Sequence, residues 1–302
     1  MFQNQHVREF ARLFSDGVEP EAPASPAQRR RQRMETFRES PGRRFARLCA
    51  DLNHALSPRA LLGLPGAIDF LIREKGIGVA GLPDARYART VPDGLAGLAN
   101  DLSPASIAEA YGRGLFLRWM MGTPTYWSPA QRMVAHPGAV TANRDCEGLL
   151  HGRNYRVTLD RDFDAVVKGA TKCALKRRAP YSPNSKGMLD FAALHDAGFA
   201  HSVEIRNRSG VLCGGLYGIA CGRVFVVQAR FGKTQAIADL AMVALAKHLE
   251  DWGFDAIDGC YDENLARLGF SGVAREDYLA NLPASITGGR PGRWLVVPGL
   301  LQ

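Results

Sequence analysis

The chain has 302 residues, enough for one large domain or two modest ones. Hydrophobic residues make up 46% and charged residues 23%, an ordinary balance for a globular protein in water. No apolar run reaches the roughly 18 residues that a membrane helix needs, and the N-terminus lacks the pattern of a signal peptide. The sequence therefore predicts a cytoplasmic protein with no membrane partner. The net charge of +8 favours an anionic partner without identifying it.

The cysteine pattern predicts neither a disulfide framework nor a metal site. No two cysteines form a CxxC pair, and no histidine pair has the spacing of ligands on one helix face. The six cysteines are Cys49, Cys146, Cys173, Cys213, Cys221 and Cys260. We therefore expect no metal and no bound cofactor.

Residues 1–100 are predicted to form an arginine-rich, partly helical N-terminal extension. Apolar spacing favours a short helix over residues 1–14 and a small helical subdomain over 45–72. The Gly- and Pro-rich residues 76–98 are predicted to be a loop. Eight arginines lie between residues 29 and 47, with few acids among them. They indicate either a solvated helix face or an arm that binds phosphates.

A second basic segment lies further along the chain. Residues 155–159 predict a strand and 160–169 a helix, and a run of positive charges follows. If the chain binds RNA, this run is the best candidate in the core for phosphate contacts; a solvated surface is the alternative. The residues concerned are Lys172, Lys176, Arg177 and Arg178.

Residues 191–269 alternate between strand and helix periodicity. Three strands are predicted at 201–206, 211–220 and 223–229, with turns between them. Residues 234–252 predict a helix, capped by Thr234 and ended by Gly253, and 254–258 a return strand. An antiparallel meander followed by a strand–helix–strand unit is the core of a GNAT-type acyltransferase fold. The predicted class is therefore α/β (α+β). A last strand is predicted at 294–297.

This stretch resembles the leucyl/phenylalanyl-tRNA–protein transferases. The resemblance rests on motifs that occur in order and covers roughly residues 103–282. The motifs are Ala110-Tyr111-Gly112-Arg113-Gly114-Leu115-Phe116, Tyr126-Trp127-Ser128-Pro129, His201-Ser202-Val203-Glu204, Gly214-Gly215-Leu216-Tyr217-Gly218, Gly222-Arg223-Val224-Phe225 and Leu265-Ala266-Arg267-Leu268-Gly269.

The resemblance implies a domain organisation and a reaction. Residues 101–140 are expected to form a small N-terminal subdomain, 141–285 the GNAT-like acyltransferase domain and 286–302 a tail. The expected reaction transfers an aminoacyl group from aminoacyl-tRNA, the co-substrate, to a protein N-terminus, a peptide or a small amine. This is aminolysis of an activated ester, so the protein has to align the two ends, stabilise the oxyanion and handle one proton.

Three residues are expected to be catalytic. Asp258 matches the acidic residue of the family's Asp–Cys–Gln run, where it is thought to orient the acceptor amine. Cys260 stands where that run has glutamine, and Gln228 where the family has glutamate. A less favoured alternative makes Cys260 a nucleophile with His201 as its base.

Further residues are expected to bind substrate, some through motif matches and some through departures from the family pattern. The family's Pro–Trp is Leu117-Arg118 here, and its Ser–Lys is Ala238-Asp239. The expected substrate-binding residues are Tyr111, Arg118, Trp127, Phe191, Glu204, Gly214, Gly215, Arg230 and Phe231. Arg118 and Arg230 would add positive charge to the pocket and favour an anionic group on the acceptor.

These departures favour an enzyme whose donor and acceptor differ from leucine or phenylalanine and basic N-termini. Two other functions stay open. One is a non-catalytic protein that binds tRNA or a peptide end, which the changes at Gln228 and Cys260 favour. The other is an N-acyltransferase that takes its acyl group from CoA, although the expected glycine after Gln228 arrives one place late.

Overall fold

A computed structural model describes residues 26–56, 65–66, 81–151, 154–285, 292–297 and 300. The chain divides into two units, residues 1–38 and residues 39–302. The described part of the first unit contains helix α1, Pro26–Thr36, on which Arg29, Arg30 and Arg31 are exposed. The helix predicted at 1–14 lies outside the described residues, as do residues 57–64 and 67–72 of the helical segment predicted at 45–72, of which residues 45–55 are helical.

The second unit contains the remaining described elements. Its α-helices are α2 Pro41–Ala55, α3 Pro104–Gly112, α4 Arg144–His151, α5 Phe163–Lys176, α6 Ser185–Asp196, α7 Gln235–Asp251 and α8 Arg275–Ser285. Its strands are β1 Leu95–Leu98, β2 Phe116–Met120, β3 Thr123–Trp127, β4 Gln131–Ala135, β5 Tyr155–Leu159, β6 Ala200–Asn207, β7 Leu212–Cys221, β8 Val224–Gly232, β9 Ala256–Asp258 and β10 Ser271–Ala274. Short 3₁₀ helices lie at Ala85–Tyr87, Pro137–Ala139 and Glu263–Leu268.

A small antiparallel sheet has the strand order β1-β3-β2. Its first strand corrects the prediction of a loop over residues 76–98. Leu95 and Leu98 are buried and lie opposite Trp127 and Thr125 of β3. Burial of these side chains against the neighbouring strand outweighs the glycine and proline content on which the loop was predicted.

The large sheet has seven strands in the order β10-β4-β9-β8-β7-β6-β5. All neighbours are antiparallel except β8 and β9, which are joined through α7 and run parallel. The meander predicted from the sequence is β6 to β8, and the strand–helix–strand unit is β8-α7-β9. The mixed α/β class is therefore confirmed. β4 belongs to this sheet, although the sequence analysis grouped residues 101–140 as one subdomain.

α7 is the most deeply buried helix of the described core. Thr234 caps its start, where the side-chain oxygen accepts a hydrogen bond from the Ile237 amide at 3.4 Å. Gly253 follows its end with φ 71°, the left-handed conformation that glycine adopts without a steric penalty. Apolar residues along the helix pack against the large sheet, with Leu240, Ala241 and Leu245 almost fully buried. The helix predicted at 234–252 is confirmed.

The prediction of a strand at residues 294–297 is wrong. The segment is irregular, and its backbone amides bind side chains instead of a neighbouring strand. The Trp294 amide donates to Asp160 at 2.8 Å and the Val297 amide to His248 at 3.1 Å. The buried Trp294 ring stacks on His201 with centroids 3.7 Å apart. This docking explains the apolar residues that gave the segment its strand-like appearance.

The helices of the described residues include none long and apolar enough to cross a bilayer.

Replacing Gly215 by alanine tests the close packing of β6 against β7. A Cβ at this position would overlap the Val203 carbonyl oxygen of β6. Because backbone has to shift, we expect the free energy of unfolding to fall by about 1–3 kcal/mol in urea denaturation. The control is Gly112→Ala at the end of α3, where a Cβ meets no atom within 4 Å. It should be neutral or slightly stabilising, and an equal loss in both variants would contradict the packing argument.

Candidate active site

A cavity of about 370 Å³ lies between the two sheets and the C-terminal half of α5. Its walls come from β2, α5, the 179–183 loop, the central strands β7 and β8, and residues 259–262 after β9. Its volume is within the range typical of ligand pockets, roughly 300–1,000 Å³. Of the residues that the sequence analysis singled out, five line it: Arg118, Arg177, Gln228, Arg230 and Cys260.

Gln228 reaches the cavity because β8 contains a bulge. Tyr217 pairs with Ala229 and Gly218 with Val227, so Gln228 is an extra residue without a partner on β7. Its Oε1 accepts a hydrogen bond from the Tyr111 hydroxyl at 2.5 Å, and its Nε2 donates to the Leu117 carbonyl at 2.8 Å. The Tyr111 hydroxyl accepts in turn from the Leu117 amide at 3.1 Å. A neutral amide therefore joins the large sheet to the small one.

Arg230 lies in the cavity wall with its charge neutralised. Its Nε donates to Asp262 at 2.6 Å and its Nη1 to the buried Asp239 at 2.9 Å. Asp239 also accepts hydrogen bonds from Arg267, Gln235 and Asn143. Burial acts to raise the pKa of Asp239, but the hydrogen bonds from Arg267 and Gln235 and the charges of Arg267 and Arg230 outweigh it and lower the pKa. The two arginines and two aspartates sum to zero charge.

Arg118 lies on β2 with its guanidinium among aromatic rings. The guanidinium carbon is 4.7 Å from the ring centroid of Tyr181, 4.9 Å from that of Tyr261 and 5.7 Å from that of Trp127. Such cation–π contacts stabilise the charge without neutralising it. No carboxylate of the described residues forms an ion pair with this side chain.

Asp258 is fully buried at the end of β9 and does not line the cavity. Its Oδ2 is paired with Arg132 of β4, and its Oδ1 accepts a hydrogen bond from the Cys260 amide at 2.8 Å. The Cys260 backbone has φ 53°, in the left-handed region. Asp258 therefore fixes the turn that carries Cys260 and Tyr261 into the cavity wall.

The Cys260 thiol is held neutral. Burial and the Asp258 charge raise its pKa well above the ordinary value, and its Sγ lies 3.7 Å from the Val227 carbonyl oxygen. His201, the base of the nucleophile hypothesis, instead has its Nδ1 2.8 Å from Asp160 and its ring stacked on Trp294. A neutral thiol is a poor nucleophile, so this geometry does not support a thioester step.

Tyr217 lines the cavity, and the sequence marked it only as part of a family motif. Its ring is held edge-on by Phe163 and Phe191, and burial raises the pKa of its hydroxyl well above the ordinary value. Within the described part of the chain, that hydroxyl has no hydrogen-bond partner. A neutral O–H donor therefore remains available inside the cavity. Tyr181, Tyr261 and Asp262 were also missed, and no local sequence pattern marks them.

Several expected substrate-binding residues pack behind the cavity rather than along it. Glu204 is buried in β6 and accepts hydrogen bonds from Ser202, Thr158 and the Asp162 amide.

The expected aromatic and glycine residues also serve packing. The Trp127 Nε1 donates a hydrogen bond to Thr125 at 2.8 Å. A Cβ at Gly214 or Gly215 would overlap neighbouring backbone, so these glycines serve packing. Phe231, Phe191 and Tyr111 are buried and do not line the cavity.

The basic residues predicted to contact RNA lie at the C-terminal end of α5. Lys172, Lys176, Arg177 and Arg178 are all exposed, and Arg177 also lines the cavity. The basic end of the helix thus borders the cavity opening. Among the described residues, no group of three or more His, Cys, Asp or Glu side chains could hold a metal ion.

Replacing Gln228 by glutamate tests the amide bridge. The change removes the N–H that donates to Leu117 and leaves a carboxylate facing that carbonyl oxygen. We expect the free energy of unfolding to fall by about 2 kcal/mol near neutral pH. Burial would raise the pKa of the new carboxyl in the folded protein. The loss of stability is therefore complete above that pKa, and it shrinks as the pH falls below it towards the pKa of the unfolded chain.

Urea denaturation at several pH values measures this effect. Gln228→Met is the control, because it removes both hydrogen bonds without adding a titratable group. Equal pH dependence of the two variants would contradict the prediction.

Comparisons with known proteins identify relatives of the whole core. A family model described as leucyl/phenylalanyl-tRNA protein transferase matches residues 134–283. A leucyl/phenylalanyl-tRNA–protein transferase of Nitrosospira multiformis is 38% identical over 205 residues, which cover 66% of this chain and 86% of the relative. The same enzyme of Pseudomonas fluorescens is 36% identical, with 66% and 89% covered, and that of Alkalilimnicola ehrlichii 34%, with 70% and 83%.

Among solved structures, FemX overlaps 48% of this chain and 60% of its own, with a TM-score of 0.40 and 9% identity, a likeness too slight to carry an argument. The sequence relatives are far closer. The residues that the family model matches include α5, the central strands and the turn after β9, and thus most elements that wall the cavity. The chain belongs to the leucyl/phenylalanyl-tRNA–protein transferase family.

Proposed function

We propose that this chain transfers an aminoacyl group from aminoacyl-tRNA to an amine, with the cavity as its active site. The observation that carries the proposal is a cavity that borders an exposed basic helix end and contains neutral hydrogen-bonding groups. Aminolysis of an ester requires no covalent nucleophile, and Cys260 is held as a thiol. The reaction belongs in the cytoplasm, where aminoacyl-tRNA is found. The GNAT-like arrangement of β6 to β9 is part of this proposal.

The donor enters beside α5. The phosphates near the 3′ end of the tRNA contact Lys172, Lys176, Arg177 and Arg178, and the ester reaches past Arg177 into the cavity. Phosphate contacts of this kind set position and affinity without reading sequence. Membership of the family supports aminoacyl-tRNA over CoA as the acyl donor.

Tyr217 stabilises the charge that develops on the ester carbonyl oxygen. Its hydroxyl is neutral, lines the cavity and makes no hydrogen bond to the described protein. A fixed donor in a site with little water lowers the barrier more than the same donor in solution. Gln228 supports the same wall, since both sides of its amide are already bound.

Asp258 acts as a positioning residue in this proposal. Asp258 acts through Cys260, which lies in the cavity wall. The Asp258 carboxylate accepts a hydrogen bond from the Cys260 amide and so holds Cys260 in its left-handed conformation. The acceptor amine has an ordinary pKa near 7.7–8.0, so a substantial neutral fraction exists at physiological pH. The proton released by the attacking amine passes through water at the cavity opening to the ribose oxygen of the tRNA, which leaves as a hydroxyl when the ester bond breaks.

The test is transfer of radiolabel from a pool of aminoacyl-tRNAs to a library of peptide and small-amine acceptors. We expect protein-dependent transfer, and a fall in kcat of about 10²- to 10³-fold in Tyr217→Phe, because one oxyanion donor is lost. The control is Tyr126→Phe, a buried tyrosine outside the cavity. Tight tRNA binding without transfer by the wild type would favour a non-catalytic binder instead.

Lys172→Gln combined with Lys176→Gln tests the tRNA contacts. Filter-binding titrations at several salt concentrations should give a weaker tRNA affinity. The slope of log K against log salt should be shallower by about 0.7–0.9 for each lost phosphate contact. The matched control removes two exposed arginines elsewhere, Arg144→Gln with Arg156→Gln. Equal slopes in the two double variants would reject α5 as the tRNA-binding surface.

A further inference from the structure

Arg118 differs from the buried arginines that the structure places in or beside the cavity wall, which are paired with carboxylates. Arg132 is paired with Asp258, and Arg230 is paired with both Asp239 and Asp262. Arg118 is half-buried, and its guanidinium forms neither an ion pair nor a hydrogen bond with any described residue. Since the Arg230 charge is neutralised, Arg118 is the main source of positive charge within the cavity, apart from the exposed Arg177.

The rings around Arg118 are themselves fixed. The Tyr261 hydroxyl donates to the Asp93 carbonyl at 2.6 Å, and the Trp127 indole donates to Thr125. The backbone amide of Tyr181 donates to Asp51 of α2 at 3.0 Å. The guanidinium is therefore held by a rigid aromatic cage rather than by a flexible surface contact.

This arrangement leaves the N–H edge of the guanidinium as its unused binding surface. The contacts with the aromatic rings are cation–π contacts, and none of the N–H groups in the plane of the guanidinium forms a hydrogen bond with a described residue. A carboxylate matches that edge with two parallel hydrogen bonds. Because the cavity is partly shielded from water, a charge pair inside it is stronger than one on the surface.

The charge of Arg118 reaches the other groups of the same wall. Burial raises the pKa of Tyr181, and the Arg118 charge acts in the opposite direction. Burial likewise raises the pKa of Tyr261 and of Cys260, and Arg118 again opposes the shift. All four residues line the cavity, so this charge acts on the space into which a substrate would enter.

We propose that Arg118 binds a carboxylate on the acceptor, so that the preferred acceptor is a peptide whose N-terminal residue is acidic. This inference rests on the proposed function, since it assigns the acceptor of that reaction. In the proposed function, the exposed basic end of α5 binds the phosphates of the donor tRNA. Arg118 lies on β2, in a different wall of the cavity. A cationic side chain at the N-terminus of the acceptor would be repelled by the Arg118 charge, because no carboxylate is paired with that charge.

The experiment compares peptides that differ only in the first residue, Asp against Asn and Glu against Gln, with Lys as the opposite charge. Isothermal calorimetry measures peptide binding, and radiolabel transfer measures kcat/KM. We expect the wild type to prefer the acidic peptide about 10- to 100-fold over its amide counterpart in both measurements. Arg118→Gln should reduce that ratio to near one.

Arg118→Glu gives the sharper result, because it should invert the preference and favour the Lys peptide. Arg118→Lys keeps the charge but loses the planar fork, so its preference should lie between those of the wild type and Arg118→Gln. Arg156→Gln, an exposed arginine on β5, is the control and should keep the wild-type ratio. Thermal unfolding of each variant checks that the fold is intact.

The outcomes separate this inference from the proposed function. Equal binding and transfer of Asp and Asn peptides by the wild type would overturn the inference and leave the transferase activity standing. An unchanged preference for acidic peptides in Arg118→Gln would overturn it too. If that variant lost only affinity for tRNA, the inference would likewise be wrong, and Arg118 would be assigned to a tRNA phosphate. Selective binding of acidic peptides without transfer to any acceptor would support the carboxylate site and reject the transferase activity. No measurable binding of any peptide would overturn the inference.

Discussion

The buried guanidinium of Arg132 is the contact on which the arrangement of the two sheets depends. Arg132 extends from β4 in the large sheet and is paired with Asp258 at the end of β9. It also donates to the Gly114 carbonyl before β2 and, at 3.2 Å, to Ser128 after β3. A charge removed from water is costly unless every side of it is satisfied. The carboxylate, the oxygen acceptors and the faces of Phe116 and Tyr278 provide most of that compensation, whereas the buried Nε of Arg132 has no hydrogen-bond partner among the described residues.

The same principle explains how charge is distributed around the cavity. Asp239 sits in α7, where an isolated carboxylate would be destabilising, and four side chains donate hydrogen bonds to it. Two of these donors are arginines, and Asp262 balances the second positive charge. The buried charges of Asp239 and Arg230 are therefore cancelled locally. Arg118 differs from them, because aromatic rings rather than a carboxylate stabilise its guanidinium, and this leaves its charge available to a ligand.

Sequence patterns predicted the core elements well because those elements are locally determined. The periodicity and caps of residues 234–252 are properties of one segment, and so are the turns between β6, β7 and β8. The predictions that were wrong concern segments whose structure depends on long-range packing. β1 forms because its leucines meet β3, and residues 293–297 stay irregular because Trp294 and Val297 bind side chains of distant elements.

The site was predictable only in part for the same reason. Gln228, Cys260, Arg118 and Arg230 were found because they depart from a family pattern, and all four line the cavity. That Asp258 is fully buried, or that Asp239 neutralises Arg230, follows from pairing between different elements of the fold. Asp258 and its guanidinium are 126 residues apart, and Asp239 and Arg230 are nine apart but lie on a helix and a strand. No local spacing rule reports such pairs.

Backbone geometry links the cavity to the part of the chain outside the family match. Arg178, Tyr181 and Cys260 have positive φ values, a conformation that costs energy for residues with side chains and is often retained at functional sites. Tyr181 is held there by Asp51 of α2, and Cys260 by Asp258. The matched residues 134–283 contain neither Asp51 nor Arg118. The wall that surrounds the Arg118 charge is therefore built jointly by residues 134–283 and by residues before them, so the binding properties of this site depend on both parts of the chain.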